Sequence, residues 1–253
     1  MSVLISEPEK ERFVLEIPQL GLVLGIVLLS TFIRAAVGFG NALIAMPLLA
    51  LTIGMTSAVP LVALLGLATA VLMLLREWQR MDVRAAGLLI AATVPGIPIG
   101  LYFLTAAPDR VVKMVLGAVL ILFGAYNLAG PRLPRLRSPR WGVVFGFLAG
   151  ILGGAYNSNG PPVVVYGVMR RWKPGRFRAT LQGYFLITGL AIAAGHGLAG
   201  MWTRPVLSTA GWSLPVVALG VLAGSWAAGR ISEAGFHRLV NGFLIVVGAL
   251  LFF

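Results

Sequence analysis

Two stretches of this chain interrupt long apolar runs with residues that could hold a ligand. The first is Gly38-Phe39-Gly40-Asn41, ahead of the apolar segment 42–53; the second is Gly153-Gly154-Ala155-Tyr156-Asn157-Ser158-Asn159-Gly160-Pro161-Pro162. Glycine lets a backbone leave helical geometry and come close to a ligand. Asn41 is a residue type that caps helix N-termini, and Asn159 or Gly160 could cap a second helix with Pro161 or Pro162 in its first turn. Each break would then offer free N–H groups and the positive end of a helix dipole, which together make an anion site built mostly of backbone. Asn157, Ser158 and Asn159 would add side-chain donors. For the glycines alone, close helix–helix packing is the competing explanation. Arg34, one turn before Gly38, is the one charged residue well inside its apolar run. It could bind an anion directly or snorkel to the headgroups. Gln182 is the polar residue of segment 179–198 best suited to line a pathway; Tyr184, two positions on, does not share its face. His196, within Gly195-His196-Gly197, could titrate and couple protons to transport, or make a structural hydrogen bond.

What the chain lacks narrows the chemistry. It has no Cys, two His and no HExxH, and its apolar runs hold no paired carboxylates. No nucleophile–base set or metal-ligand set follows from such an inventory, so we expect no catalytic residues, no metal and no cofactor. No ATP-binding motif is present. Four acidic residues follow position 16 and none lies deep in an apolar run. A cationic substrate would therefore find no countercharge, whereas an anion would find helix N-termini, amides and Arg34.

The elements that must position these residues follow from composition. Of 253 residues, 58% are hydrophobic and 11% charged. A soluble domain carries about a quarter charged residues, so this composition excludes an ordinary one. A membrane helix needs about 20 apolar residues. Segments 18–37, 58–75, 85–103, 111–128, 179–198, 212–229 and 239–253 meet that length or approach it. Segments 42–53, 141–153 and 161–169 are shorter and read as half-helices or re-entrant pieces. The net charge of +12 sits mainly in loops between the runs, at 76–84, 129–140, 170–178 and 230–238. If the acidic N-terminus lies outside, all four of those loops fall inside, as the positive-inside rule requires, and both termini lie outside. Basic groups separated by bilayer-length segments do not make a nucleic-acid face. Trp78, Trp141, Trp172 and Trp212 read as interfacial anchors, and Asn241 as a bond between helices.

The chain also reads as duplicated. Gly38 and Pro47 align with Gly153 and Pro162 at an offset of 115; Gly100, Asp109, Leu120, Ile121 and Gly124 align with Gly224, Glu233, Leu244, Ile245 and Gly248 at an offset of 124. Five segments in each half would run in opposite senses across the membrane. The fold expected is an all-α polytopic membrane protein of two inverted five-segment repeats, with eight to ten membrane segments. Its divisions are an acidic tail 1–16, a first repeat 17–128, a basic cytoplasmic linker 129–140 and a second repeat 141–253.

Gly38-Phe39-Gly40-Asn41 through Met46-Pro47-Leu48, the pair Met81-Asp82, Gly96 and Gly100, Gly195-His196-Gly197 and the ending from Gly220 to Gly248 together resemble the sulfite exporter TauE/SafE family over nearly the whole chain after the tail. The resemblance implies a duplicated helical permease that moves sulfite, organosulfonates or related small anions. Family members carry a run of glycines in each half where this chain has its two polar breaks. The function expected is a secondary transporter or facilitator for a small anion, exporting it from the cell across the inner (plasma) membrane. The substrate would be held by Arg34, Gly38, Gly40, Asn41, Asn157, Ser158, Asn159, Gly160 and Gln182. Its partners are the anion and membrane lipids, with no nucleic acid and with a homo-oligomer left open. The alternatives are a non-transporting membrane scaffold and a permease for a different small solute.

Overall fold

The computed structural model describes residues 17–77, 83–130, 133–228, 230 and 233–253. The acidic tail 1–16, Trp78, Arg80, Met81, Asp82 and Arg132 lie outside the described residues. The rest is helical, with no strand among the described residues: α1 (Ile17–Val37), α2 (Asn41–Ile53), α3 (Met55–Glu77), α4 (Val83–Thr93), α5 (Gly96–Ala106), α6 (Asp109–Ala129), α7 (Trp141–Tyr156), α8 (Gly160–Met169), α9 (Pro174–Leu198), α10 (Arg204–Ala227) and α11 (Glu233–Leu250). Five of these are long and apolar enough to cross a membrane: α1, α3, α6, α9 and α10. The bent pair α4–α5 would be a sixth span. The short apolar helices α2, α7 and α8 occupy the places of the half-length segments.

The expected continuous span 85–103 is corrected: it is two helices, α4 and α5, bent by 41° at the break. The cause is local. Pro95 has no N–H for the ladder and its ring crowds the preceding turn. Ile97 N–H bonds instead to the Val94 carbonyl at 3.3 Å, a tighter i to i−3 closure.

Packing rests on small residues. α7 lies along α4 and α5, and α1 lies along α10. A Cβ on Gly150 would strike the Thr93 carbonyl, one on Gly100 the Ile151 carbonyl, and one on Gly224 the Phe32 carbonyl. Helices without side chains at these points approach backbone to backbone, which drives association in lipid, where apolar burial offers little. α6 and α11 pair in the same way. Gly117 faces the Gly248 carbonyl, and Gly124 faces the Asn241 carbonyl. Asn241 also accepts a hydrogen bond from Asn127 at 3.1 Å, the interhelical role read from its sequence position.

Several hydroxyls inside the bundle are satisfied within it, while the buried Thr31 hydroxyl has no partner. Thr69 bonds the Leu65 carbonyl at 2.7 Å, and Ser213 the Thr209 carbonyl at 2.8 Å. Such back-bonding spares these two hydroxyls the need for water. On the outside, Leu122, Leu198, Trp212 and Trp226 are each more than two-thirds exposed, as a surface meeting hydrocarbon rather than water requires. Trp172 instead stacks edge-on against Tyr166. The linker is not loose: Leu136 N–H bonds the Met169 carbonyl at 3.0 Å, and Arg170 donates to the carbonyls of Leu136 and Arg137 at 2.8 and 2.7 Å. That ties the linker to the end of α8.

Candidate functional site

Both polar breaks open on one cavity of about 50 Å³. The first break works through Gly38 and Gly40, whose φ angles are 101° and 102°. A side chain is strained in that left-handed region, so two glycines let the chain reverse from α1 into α2 within three residues. The second break turns at Asn157, φ 51°, one of the few side-chain-bearing types that tolerates this conformation. Its N–H closes α7 on the Gly153 carbonyl at 2.8 Å.

The N-cap expected at Asn41 is corrected. Gly40 occupies that position and Asn41 is the first residue of α2. With its φ of 102°, the cap position needs a glycine rather than an amide side chain. Asn159 is the N-cap of α8, with Pro161 and Pro162 following in the first turn, but its side chain makes no capping bond. It donates instead to Thr188 at 2.9 Å. A buried chain continues from there: Thr188 bonds the Tyr184 carbonyl at 2.7 Å, the Tyr184 hydroxyl meets Thr93 at 2.8 Å, and Thr93 bonds the Gly146 carbonyl at 2.9 Å. Neither α2 nor α8 has a side-chain cap, so the first-turn amides of α2 lack partners from their own helix; in α8, Pro161 and Pro162 carry no N–H, and Gly160 is the first-turn residue that offers one. Residues of both first turns line the cavity: Asn41, Ala42 and Leu43 on one side, Gly160 and Pro161 on the other.

Arg34 is the charged residue of the cavity wall among the described residues. It is 5% exposed, so it does not snorkel. It sits in the last turn of α1, where the negative end of the helix dipole favours a cation. Its guanidinium donates to the Gly66 carbonyl at 3.0 Å and to Gln182 Oε1 at 3.1 Å, and lies 5.2 Å from the centre of the Phe185 ring. Its Nε has no partner. No carboxylate pairs with it among the described residues, where the ion pair found is Lys113–Asp109 at the head of α6. Gln182 does not itself line the cavity; it fixes the wall, since its Nε2 donates to the Gly38 carbonyl at 2.6 Å.

Of the residues singled out in the sequence, Arg34, Gly40, Asn41, Asn157, Ser158, Asn159 and Gly160 line this one space. Gly38 and Gln182 brace it from behind. His196 stands apart: it is buried against α7, with Nε2 3.1 Å from the Gly154 carbonyl and Nδ1 unpartnered, and it does not line the cavity. The sequence reading missed Phe39, Gly66, Phe185 and Gly189. Two of these carried a signal, because Phe185 and Gly189 follow Gln182 at three and seven positions and share its helical face. No group of residues that could hold a metal ion is present among the described residues.

The profile of the sulfite exporter TauE/SafE family matches residues 22–251. A protein of Cupriavidus necator, named as a probable sulfite/organosulfonate exporter, is 27% identical over 234 residues, covering 87% of this chain and 88% of its own length. No solved structure matches the chain. With a bundle of membrane-length helices, a cavity that joins Arg34 to both breaks, and a profile match from the first helix to the last, the chain belongs to the sulfite exporter TauE/SafE family of membrane transporters.

Proposed function

We propose that the protein is a secondary transporter or facilitator that exports a small oxyanion, such as sulfite or an organosulfonate, and holds it in the cavity between the first turns of α2 and α8. One observation carries this reading: Arg34 is buried, borders the cavity and has no carboxylate partner among the described residues. An uncompensated buried charge costs several kcal/mol, and an anion in the cavity would supply the missing partner. The uncapped first turn of α2, the Gly160 N–H and the side-chain amides of Asn41 and Asn157 add donors that cost no second charge. The name of the Cupriavidus necator relative agrees with the substrate class. An interior-negative potential favours the exit of a monovalent anion by about 2.3 kcal/mol per 100 mV, so export needs no coupling ion.

The bundle is read as two inverted repeats. Supporting this, α1 packs on α10 as α7 packs on α4 and α5, while α3 with α9 and α6 with α11 pair across the halves. A shift of 124 positions turns the contact Gly117–Gly248 into Asn241–Gly124, the other close approach of the same helix pair. The repeats 17–128 and 141–253 flank the linker 129–140, with both termini on the outer side of the inner (plasma) membrane. Uptake of sulfite, methanesulfonate and other oxyanions into proteoliposomes tests the proposal: substrate-dependent flux above that of empty liposomes is expected, and its absence for every oxyanion rejects it. A scaffold role is favoured by the glycine crossings alone, and unchanged flux in folded cavity variants would favour it over transport.

A further inference from the structure

We infer that the cavity selects singly charged anions, so that hydrogensulfite or a sulfonate is bound and a doubly charged oxyanion such as sulfate or fully ionised sulfite is refused. The inference rests on the transport site proposed above. The side chains of the wall set the charge: Arg34 brings one positive charge, Asn41, Asn157, Ser158 and Asn159 bring neutral dipoles, and no carboxylate joins them among the described residues. A guanidinium is not deprotonated in proteins, so the empty site is a single fixed cation. Two of its five N–H donors are already committed to the Gly66 carbonyl and Gln182, and Nε is buried without a partner, which leaves the second N–H of each terminal nitrogen for a ligand oxygen. Doubling an anion's charge doubles its attraction to this site but quadruples its desolvation cost, which grows as the square of the charge. The partial charges of the α2 and α8 N-termini act only within the first turn, and both helices are short.

The size of the cavity fits a small oxyanion. A water needs about 10–15 Å³ of such volume, so a cavity of about 50 Å³ takes roughly three to five heavy atoms. That is the size of a hydrogensulfite ion or a sulfonate head. Phe39, Leu67 and Phe185 also line the wall and suit the single carbon of methanesulfonate better than a fourth charged oxygen.

The test is equilibrium binding to the detergent-solubilised full chain, read by isothermal titration, with methanesulfonate, sulfate and sulfite as probes. Methanesulfonate is a monoanion and sulfate a dianion throughout the working pH range. Methanesulfonate is expected to bind at least ~10-fold tighter than sulfate. The apparent affinity for total sulfite is expected to fall as pH rises through its second dissociation, while that for methanesulfonate stays level. Sulfate binding as tightly as methanesulfonate, or sulfite affinity rising with its ionisation, overturns the inference and leaves the anion site standing. If none of the three probes binds, the site itself is rejected, and the inference with it.

Discussion

The roles of Arg34 and Gln182 can be separated by substitutions that change the charge of the site. In Arg34→Gln the charge leaves but a donor remains for the Gly66 carbonyl, so the protein is expected to fold with an unchanged or higher melting temperature. Anion binding should weaken about 10- to 100-fold, the value of one or two charge-assisted bonds. In Gln182→Glu a carboxylate replaces the amide beside the guanidinium, 3.1 Å away in the natural protein, at the loss of the bond to the Gly38 carbonyl, and this built-in countercharge should abolish binding. Wild-type affinity in Gln182→Glu would remove Arg34 from the site. Asn157 offers a cleaner test than alanine alone provides, because its φ is 51°. Asn157→Gly keeps the turn and loses only the amide, so flux should fall several-fold in a stable protein. Asn157→Ala should lose the same flux and about 1–2 kcal/mol of stability besides. At this scale the sequence was most legible where polarity was out of place: Arg34, Asn41 and the Asn157–Asn159 run stand out in apolar surroundings. Gly66 did not, because a glycine among leucines reads equally as packing, and only the fold brings its carbonyl to the guanidinium. His196 was equally conspicuous, yet the fold sets it behind α7, away from the cavity.

Among the elements, the crossing of α7 with α4 and α5 is the most demanding. A side chain at Gly150 would meet the Thr93 carbonyl and the Gly96 Cα, both backbone, and backbone cannot swing aside as a side chain can. Overpacking costs about 1–3 kcal/mol even where side chains yield. Gly150→Leu is therefore expected to lose most of its monodisperse peak in size-exclusion chromatography of the detergent extract, whereas Gly87→Leu, with nothing within 4 Å, should elute as wild type. The apolar runs marked the helices well, since length and hydropathy decide what can span a bilayer. They did not reveal the bend between α4 and α5, because Pro95 and Gly96 lie inside an unbroken apolar run and hydropathy does not register a missing N–H. The N-cap of α2 was misplaced by one residue for a related reason. Capping preferences favour Asn, but the left-handed reversal at this break requires glycine.

For the molecule as a whole, the orientation of the loops is the most accessible test. The natural chain has no cysteine, so single-cysteine variants report without background. Ser138→Cys in the linker and Thr203→Cys ahead of α10 are both exposed positions. In intact cells a membrane-impermeant maleimide should label Thr203→Cys and spare Ser138→Cys, and the reverse would invert the proposed orientation. The charge pattern that suggests this topology was legible because loop arginines follow the positive-inside rule. The meeting of the two breaks was not, because residues more than 100 positions apart are joined only by the fold. The single cation of the cavity wall also has an electrical consequence. Loaded with a monoanion the site is neutral, while empty it carries a full positive charge. In a carrier cycle the membrane voltage then acts on the unloaded return rather than on the loaded crossing. With the interior negative, the empty site is drawn inward by up to about 2.3 kcal/mol per 100 mV, which resets the carrier for the next outward load. Net efflux from proteoliposomes should carry current, and exchange between equal anion concentrations should move tracer with no current at all.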